Sequence, residues 1–122
     1  MGEKFPEPLK QLLKARSFLY GTESPDAENC IKESVGALEG MVRVLFNEAR
    51  TLGDLLPKLR AKYLGHPAMD KILQSVYAVR GDAPGVAHGS HEESKLGLTD
   101  AEFVFNTCMA CMIYLAKKAE PS

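Results

Sequence analysis

The sequence has no apolar stretch long enough to cross a lipid bilayer. Its longest apolar stretch, residues 103–116, has 14 residues and includes Asn106 and Thr107, whereas a spanning helix needs about 20 predominantly apolar residues. The beginning of the chain is charged and proline-rich, which is unlike the apolar core of a secretory signal. We therefore expect a soluble, cytoplasmic protein without a membrane partner.

The sequence also lacks an excess of charge of either sign. Lys and Arg together number 15 and Asp and Glu 16, so the overall charge does not indicate a nucleic-acid or membrane partner. Locally, residues 43–62 are mainly basic and residues 92–102 mainly acidic. Such patches are usually solvated faces, and a weak basic surface for RNA or DNA is the alternative for the first of them. The basic residues of that segment are Arg43, Arg50, Lys58, Arg60 and Lys62.

Cysteine is scarce as well. Three cysteines cannot all pair within one chain, so free thiols in a reducing cytoplasm are the simplest account. Cys108 and Cys111 have the spacing of a redox motif, but they fall well inside the predicted last helix, where the helix N-terminus no longer lowers a thiol pKa. No second cysteine pair completes a zinc site. We predict core positions for this pair, and no metal or cofactor for the protein.

Helical periodicity is what the sequence does contain. Apolar residues recur at three- and four-residue steps over residues 9–20, 27–50, 68–79 and 99–118, and a shorter helix follows Thr51. No useful length of the chain alternates with period two, so no strand is predicted. With 122 residues of ordinary globular composition, the chain is predicted to be one all-α domain, 1–122, a compact bundle of about five helices. The last helix is apolar on nearly all sides, so we expect it to be central and buried.

Capping residues mark where three of these helices begin. Ser24 is predicted as the N-cap of the second helix. Thr51 with Asp54, and Thr99 with Glu102, form capping-box patterns for the third and fifth helices.

Gly36 and Gly40 lie four residues apart inside the second helix. Each glycine within a helix costs about 1 kcal/mol relative to alanine. Close approach of another helix, from the same domain or a second subunit, explains such a pair; tolerated exposed glycine is the alternative.

The loop that follows the fourth helix is the chemically suggestive segment. Arg80 continues the apolar stripe of Met69, Ile72 and Val76, so its guanidinium must find a carboxylate, backbone carbonyls or an anionic ligand. A cation near a helix C-terminus also suits the helix dipole. His88 is the side chain best placed for proton transfer near neutral pH. On composition alone, an arginine and a histidine in such a loop are more often structural.

Other histidines give weaker signals. His66 precedes Pro67, which is typical of a turn residue rather than a base. His88, His91, Glu92 and Glu93 carry donor atoms for a metal, yet a loop without another fixed ligand set makes metal binding the less favoured interpretation.

A series of short motifs is spread over about residues 23–118. The motifs are DAENCIKE at 26–33, ALE at 37–39, TLGD at 51–54, HP at 66–67, RGD at 80–82 and GVAHG at 85–89. In this order and spacing they resemble the abortive-infection C-terminal (Abi-C) domain, a branch of the HEPN superfamily. The resemblance implies a HEPN-like helical bundle that forms a homodimer and, in active members, a metal-independent endoribonuclease.

The resemblance also implies roles for particular residues. The family's signature is an arginine, a polar residue, a few further residues and then a histidine, placed at the dimer cleft. Carried onto this chain, Arg80 and His88 are the catalytic pair, with Asp82 and His91 as supporting residues. The imidazole acts as acid or base on the ribose and the leaving oxygen, and the guanidinium stabilises the charged phosphorus centre.

Two functions therefore stand side by side. The first is a dimeric ribonuclease of an anti-phage or toxin system, with RNA as its substrate. The second is a catalytically silent interaction or RNA-binding module, bound by an antitoxin or fused within a larger protein. Seven residues separate Arg80 from His88, one more than the family's usual spacing, and Gly81 stands where active members tend to carry a polar side chain. Both departures are compatible with either function.

Overall fold

The computed structural model describes residues 2–82 and 96–120, with Asp82 described by its backbone alone. This part of the chain is all helical, as predicted. Five α-helices are present, together with one turn of 3₁₀ helix at Pro67–Met69, and no strand occurs among the described residues. The helices are α1 (Pro6–Ser17), α2 (Ala27–Phe46), α3 (Leu52–Lys62), α4 (Asp70–Asp82) and α5 (Leu98–Ala119).

The central helix is α2, and the prediction that the last helix would be central is wrong. α2 contacts each of the other four helices. α5 is buried on one face only, since Phe103 is 72% exposed and Ile113 41%. An apolar sequence on every side of a helix does not specify which side is covered, and in this bundle α2 takes the inner position.

Asp26, not Ser24, begins α2. The Asp26 carboxylate accepts a hydrogen bond of 3.0 Å from the backbone N–H of Asn29, which leaves Ser24 and Pro25 outside the helix. The predicted start was therefore two residues early, because both Ser and Asp are good N-caps. The helix ends at Phe46, and Asn47 adopts a left-handed conformation with φ of 51° that stops it before the predicted end near Arg50.

Of the N-caps predicted for α3 and α5, the first is confirmed and the second is wrong. Thr51 is the N-cap of α3, as predicted, and its hydroxyl accepts a hydrogen bond from the Asp54 N–H at 3.2 Å. The box predicted at Thr99 and Glu102 is wrong, since Gly97 precedes the first turn of α5 and its N–H donates to the Asp100 carboxylate at 2.9 Å. Glu102 instead accepts a hydrogen bond from the hydroxyl of Tyr20.

Gly36 and Gly40 lie where α1 crosses α2. A Cβ at Gly36 would come within 2.4 Å of Nε2 of Gln11, and one at Gly40 would lie 3.7 Å from Cγ of Pro8. Close approach within the same domain therefore applies at Gly36, where the end of the Gln11 side chain occupies the space, whereas at Gly40 a Cβ would make only ordinary contact.

Two contacts fix the start of α4. The Nδ1 atom of His66 accepts a hydrogen bond from the backbone N–H of Ala68 at 3.0 Å, which confirms His66 as a turn residue. Asp70 is buried and pairs with Arg60 of α3 at 2.7 Å.

Within the described ranges, no helix is both long and apolar enough to span a membrane.

Candidate functional site

Arg80 lies in the last turn of α4, one turn after the buried Val76. It follows Val76 on the buried side of this helix, whereas Ile72, which the sequence places on the same stripe, is 49% exposed. Its side chain is 28% exposed, and its Nη1 atom faces Oε1 of Glu39 at 3.7 Å. The Nε atom is fully buried and has no hydrogen-bond partner among the described residues. Arg80 is thus held at the surface of the bundle, with its base covered and part of its guanidinium accessible.

Glu39 is the partner that the sequence analysis missed. It lies on α2 with a side chain only 8% exposed, and Oε1 also faces Nη2 of Arg43 at 3.4 Å. Its second oxygen, Oε2, accepts a hydrogen bond of 2.8 Å from the backbone N–H of Leu52. Glu39 and Arg43 are four residues apart, a spacing that lets opposite charges pair along a helix. The burial of Glu39 and its contact with Arg80 are not predicted by the sequence pattern.

A signal for Glu39 does exist in the sequence. Val35, Leu38 and Val42 are fully buried, and Glu39 follows Val35 by four residues, so it falls on the same core-facing side of α2. A carboxylate at a core position needs charged or hydrogen-bonding partners. The sequence pattern also indicates that the Arg80 guanidinium needs an anionic partner. A buried carboxylate and a partly buried guanidinium therefore satisfy each other's need for an opposite charge.

Arg43 connects this group to the segment before α3. Its Nε atom donates a hydrogen bond of 2.8 Å to the backbone carbonyl of Arg50. The contacts of Glu39 and Arg43 therefore tie together the middle of α2, the start of α3 and the end of α4. One carboxylate faces two guanidinium groups, so the local cluster keeps one net positive charge. We call Glu39, Arg43 and Arg80 the Glu39 cluster.

The remaining basic residues of segment 43–62 are largely paired. Lys58 contacts Glu48 at 2.6 Å, and Arg60 contacts the buried Asp70 at 2.7 Å. The ammonium group of Lys62 lies 5.4 Å from the centroid of the Tyr63 ring. These contacts favour the interpretation of the segment as an ordinary solvated face, except at Arg43, which shares the Glu39 carboxylate with Arg80.

Three of the predicted site residues fall beyond what the structure describes. His88 and His91 lie outside the described residues, and so does the side chain of Asp82. Of the predicted set, only Arg80 has a described environment. The backbone of α4 runs through Gly81 to Asp82, so the segment that carries His88 begins within two residues of Arg80.

The predicted core position is confirmed for Cys108, and Cys111 of the same pair is partly buried against the core. Cys30 and Cys108 are fully buried and Cys111 is half-buried, and all three thiols are free. Burial raises the pKa of each thiol, and for Cys30 a hydrogen bond with Ser34 opposes part of that rise. Raised values disfavour the thiolate that redox and nucleophilic chemistry require. No group of three or more metal-ligating side chains occurs within the described part of the chain.

Among the described residues, the packing of α4 on α5 leaves apolar side chains exposed beside two cavities. Two neighbouring cavities of about 220 and 440 Å³ lie there, and both are lined by Ile72 and Thr107. Phe103, 72% exposed, lines the larger one. We call the surface around Ile72, Phe103 and Thr107 the α4–α5 face. Lys71 and Asp100, which are of opposite charge, line the same cavity as Phe103.

Comparison of the chain with known proteins identifies no relative. No protein-family model matches the chain, and no curated protein or solved structure matches it either. The resemblance to the Abi-C domain of the HEPN superfamily therefore stays a prediction from the sequence motifs.

Proposed function

We propose that this chain is a metal-independent endoribonuclease of the HEPN type, acting in an anti-phage or toxin system. The observation that carries the proposal is the placement of Arg80. Its guanidinium is fixed at the end of α4, partly accessible and inside a cluster with one net positive charge. His88 follows Arg80 by eight positions in the sequence. A planar guanidinium at such a position suits the non-bridging oxygens of a phosphodiester.

The chemistry proposed is an internal transfer at phosphorus. The 2′-hydroxyl of the ribose attacks the adjacent phosphorus, the bond to the 5′-oxygen of the next nucleotide breaks, and a 2′,3′-cyclic phosphate remains. One imidazole removes the proton from the 2′-hydroxyl, and another delivers a proton to the leaving 5′-oxygen. Arg80 stabilises the negative charge that builds up on the phosphoryl oxygens.

Two imidazoles require two copies of His88, so the proposal includes a homodimer. The α4–α5 face is the surface that we assign to the second copy. Phe103 projects beside a cavity on the same face, so a two-fold axis places each Phe103 against the other subunit's cavity. The same axis brings Lys71 of one copy toward Asp100 of the other. Val79, the residue before Arg80 in α4, lines the same cavity as Phe103.

The test is cleavage of a labelled single-stranded RNA by purified protein in EDTA. Wild-type protein is expected to cleave, and Arg80→Ala and His88→Ala are each expected to lose about 100-fold or more in rate. Arg16→Ala and His66→Asn are the matched controls, because Arg16 is exposed on α1 and asparagine preserves a cap acceptor at residue 66. The proposal fails if wild-type protein is inert, or if the controls lose activity to the same extent.

A second candidate function is a catalytically silent interaction module of the same fold. The contact of Arg80 with Glu39 favours it, because an arginine tied into its own subunit is accounted for without a substrate. Under this alternative the α4–α5 face still binds a second copy or another protein, such as an antitoxin or a fused domain. Wild-type protein that dimerises but leaves RNA intact at high concentration is the result that selects this candidate.

A further inference from the structure

We infer that Glu39 is the positioning residue of this site: it holds the Arg80 guanidinium in the orientation that RNA cleavage needs. The inference rests on the proposed function and deepens it, since the predicted site residues, Arg80, His88, Asp82 and His91, do not include Glu39. The starting observation is that the buried Oε1 of Glu39 is the described anion closest to Arg80, at 3.7 Å.

The rest of the Glu39 side chain is itself fixed. Oε2 accepts the Leu52 N–H at 2.8 Å, and this N–H belongs to the first residue of α3, where backbone donors have no partner within the helix. With one oxygen held by α3 and the side chain 8% exposed, the carboxylate has little freedom to follow Arg80. Glu39 is therefore a rigid reference point, and the long arginine side chain adjusts to it.

The ion pair also leaves part of Arg80 available. At 3.7 Å the contact is longer than a direct hydrogen bond, so the N–H groups of the guanidinium are not all used by Glu39. Arg43 faces the same Oε1 atom at 3.4 Å and thus balances the carboxylate. A phosphate that approaches Arg80 meets a guanidinium that is oriented but not neutralised.

Glu39→Gln tests the inference with little change in shape. The glutamine Oε1 atom can still accept the Leu52 N–H, while its uncharged amide no longer attracts Arg80. Asp70→Asn is the matched control, because Asp70 is, among the described residues, the second buried carboxylate paired with an arginine, at 2.7 Å from Arg60. Both variants remove one buried charge from an ion pair, and only one of them touches Arg80.

In the cleavage assay, we expect Glu39→Gln to lower kcat by about 10- to 100-fold with KM nearly unchanged, because misplaced catalytic groups lower the rate at this scale. Asp70→Asn is expected to keep kcat within about 3-fold of wild type at a temperature where circular dichroism shows both variants folded. Equal losses in the two variants, or an unchanged kcat in Glu39→Gln, would overturn the inference.

A second measurement does not depend on activity. The ¹⁵N relaxation of the Arg80 Nε–H group is expected to give an order parameter near that of rigid backbone, about 0.85, in wild type and below about 0.6 in Glu39→Gln. If Arg80 in wild-type protein is as mobile as the exposed Arg16, the inference is overturned. This comparison needs no variant, so the inference can be tested even if Glu39→Gln does not fold. The two proposals can fail separately. If wild-type protein does not cleave RNA but Glu39→Gln still lowers the Arg80 order parameter, the proposed ribonuclease activity is refuted, while the role of Glu39 in holding Arg80 is supported.

Discussion

Glu39 couples three elements through a single side chain. Its two oxygens face guanidinium groups on α2 and α4 and a backbone N–H at the start of α3. A carboxylate that is 8% exposed is stable only when such partners replace water. The sequence showed that Arg80 required an anion, but it did not show which one, because the partner lies 41 positions earlier in the chain.

At the same scale, the buried thiols make stability depend on pH. Burial raises the pKa of Cys30 and Cys108 in the folded protein, whereas thiols of the unfolded chain lose their protons near pH 8.5. Above that pH the unfolded state binds fewer protons than the folded state, so the free energy of unfolding falls as pH rises. The limiting slope is about 1.4 kcal/mol per pH unit for each thiol.

Urea unfolding between pH 7.5 and 9.5, with reductant present, measures this effect. The control is Cys108→Ala, which lacks the most strongly affected thiol and should show a shallower decline than wild type. Identical slopes for the two proteins would show that Cys108 is not the source of the pH dependence.

At the scale of the helix, the start of α2 distinguishes two neighbouring caps. Asp26→Ala removes the acceptor of the Asn29 N–H and is expected to lower the free energy of unfolding by about 1 kcal/mol. Ser24→Ala is expected to change it by less than about 0.5 kcal/mol, because Ser24 is exposed and precedes the helix. Urea denaturation of the two variants measures both changes. A larger loss of unfolding free energy in Ser24→Ala than in Asp26→Ala would show that Ser24, the N-cap predicted from the sequence, caps the helix.

Two glycines are expected to respond to alanine in opposite directions. Gly40 is helical, and its added Cβ meets Pro8 at 3.7 Å, which is ordinary contact, so Gly40→Ala should stabilise the protein by about 0.5–1 kcal/mol. Gly21 has φ of 73°, and alanine there should destabilise it by about 1 kcal/mol. Thermal unfolding followed by circular dichroism gives both signs, and a destabilised Gly40→Ala would mean that α1 packs closer to α2 than described.

How far the sequence predicts an element depends on whether the deciding contact is local. The helices and the Thr51 cap follow from periodicity and from residues within one turn, and they were predicted. The start of α5 was misplaced because Gly97 has no side chain to signal a cap, while Asp100 supplies the hydrogen bond from inside the helix. The open face of α5 was missed because its apolar residues resemble a core until the packing of α4 is known.

For the whole molecule, the account predicts a homodimer formed through the α4–α5 face. Phe103→Asp places a charge at a side chain that is 72% exposed and lines the larger cavity, and is expected to give a monomer in light scattering under conditions where wild type is dimeric. Leu13→Asp, at a residue 53% exposed on α1, is the matched control and should stay dimeric. A monomeric wild type, or a dimeric Phe103→Asp, contradicts the assignment of this face.

The central claim is that the chain cleaves RNA through the ribose 2′-hydroxyl, with Arg80 and His88 as its working pair. The most direct measurement uses a DNA oligonucleotide with a single ribonucleotide, incubated with wild-type protein and with the Arg80→Ala and His88→Ala variants in EDTA. The account predicts cleavage by wild type on the 3′ side of the ribonucleotide, a 2′,3′-cyclic phosphate on the product, and no product with either variant. Cleavage of an all-DNA strand, or cleavage by both variants, would contradict the claim. So would a wild-type protein that cleaves neither this substrate nor an all-RNA strand.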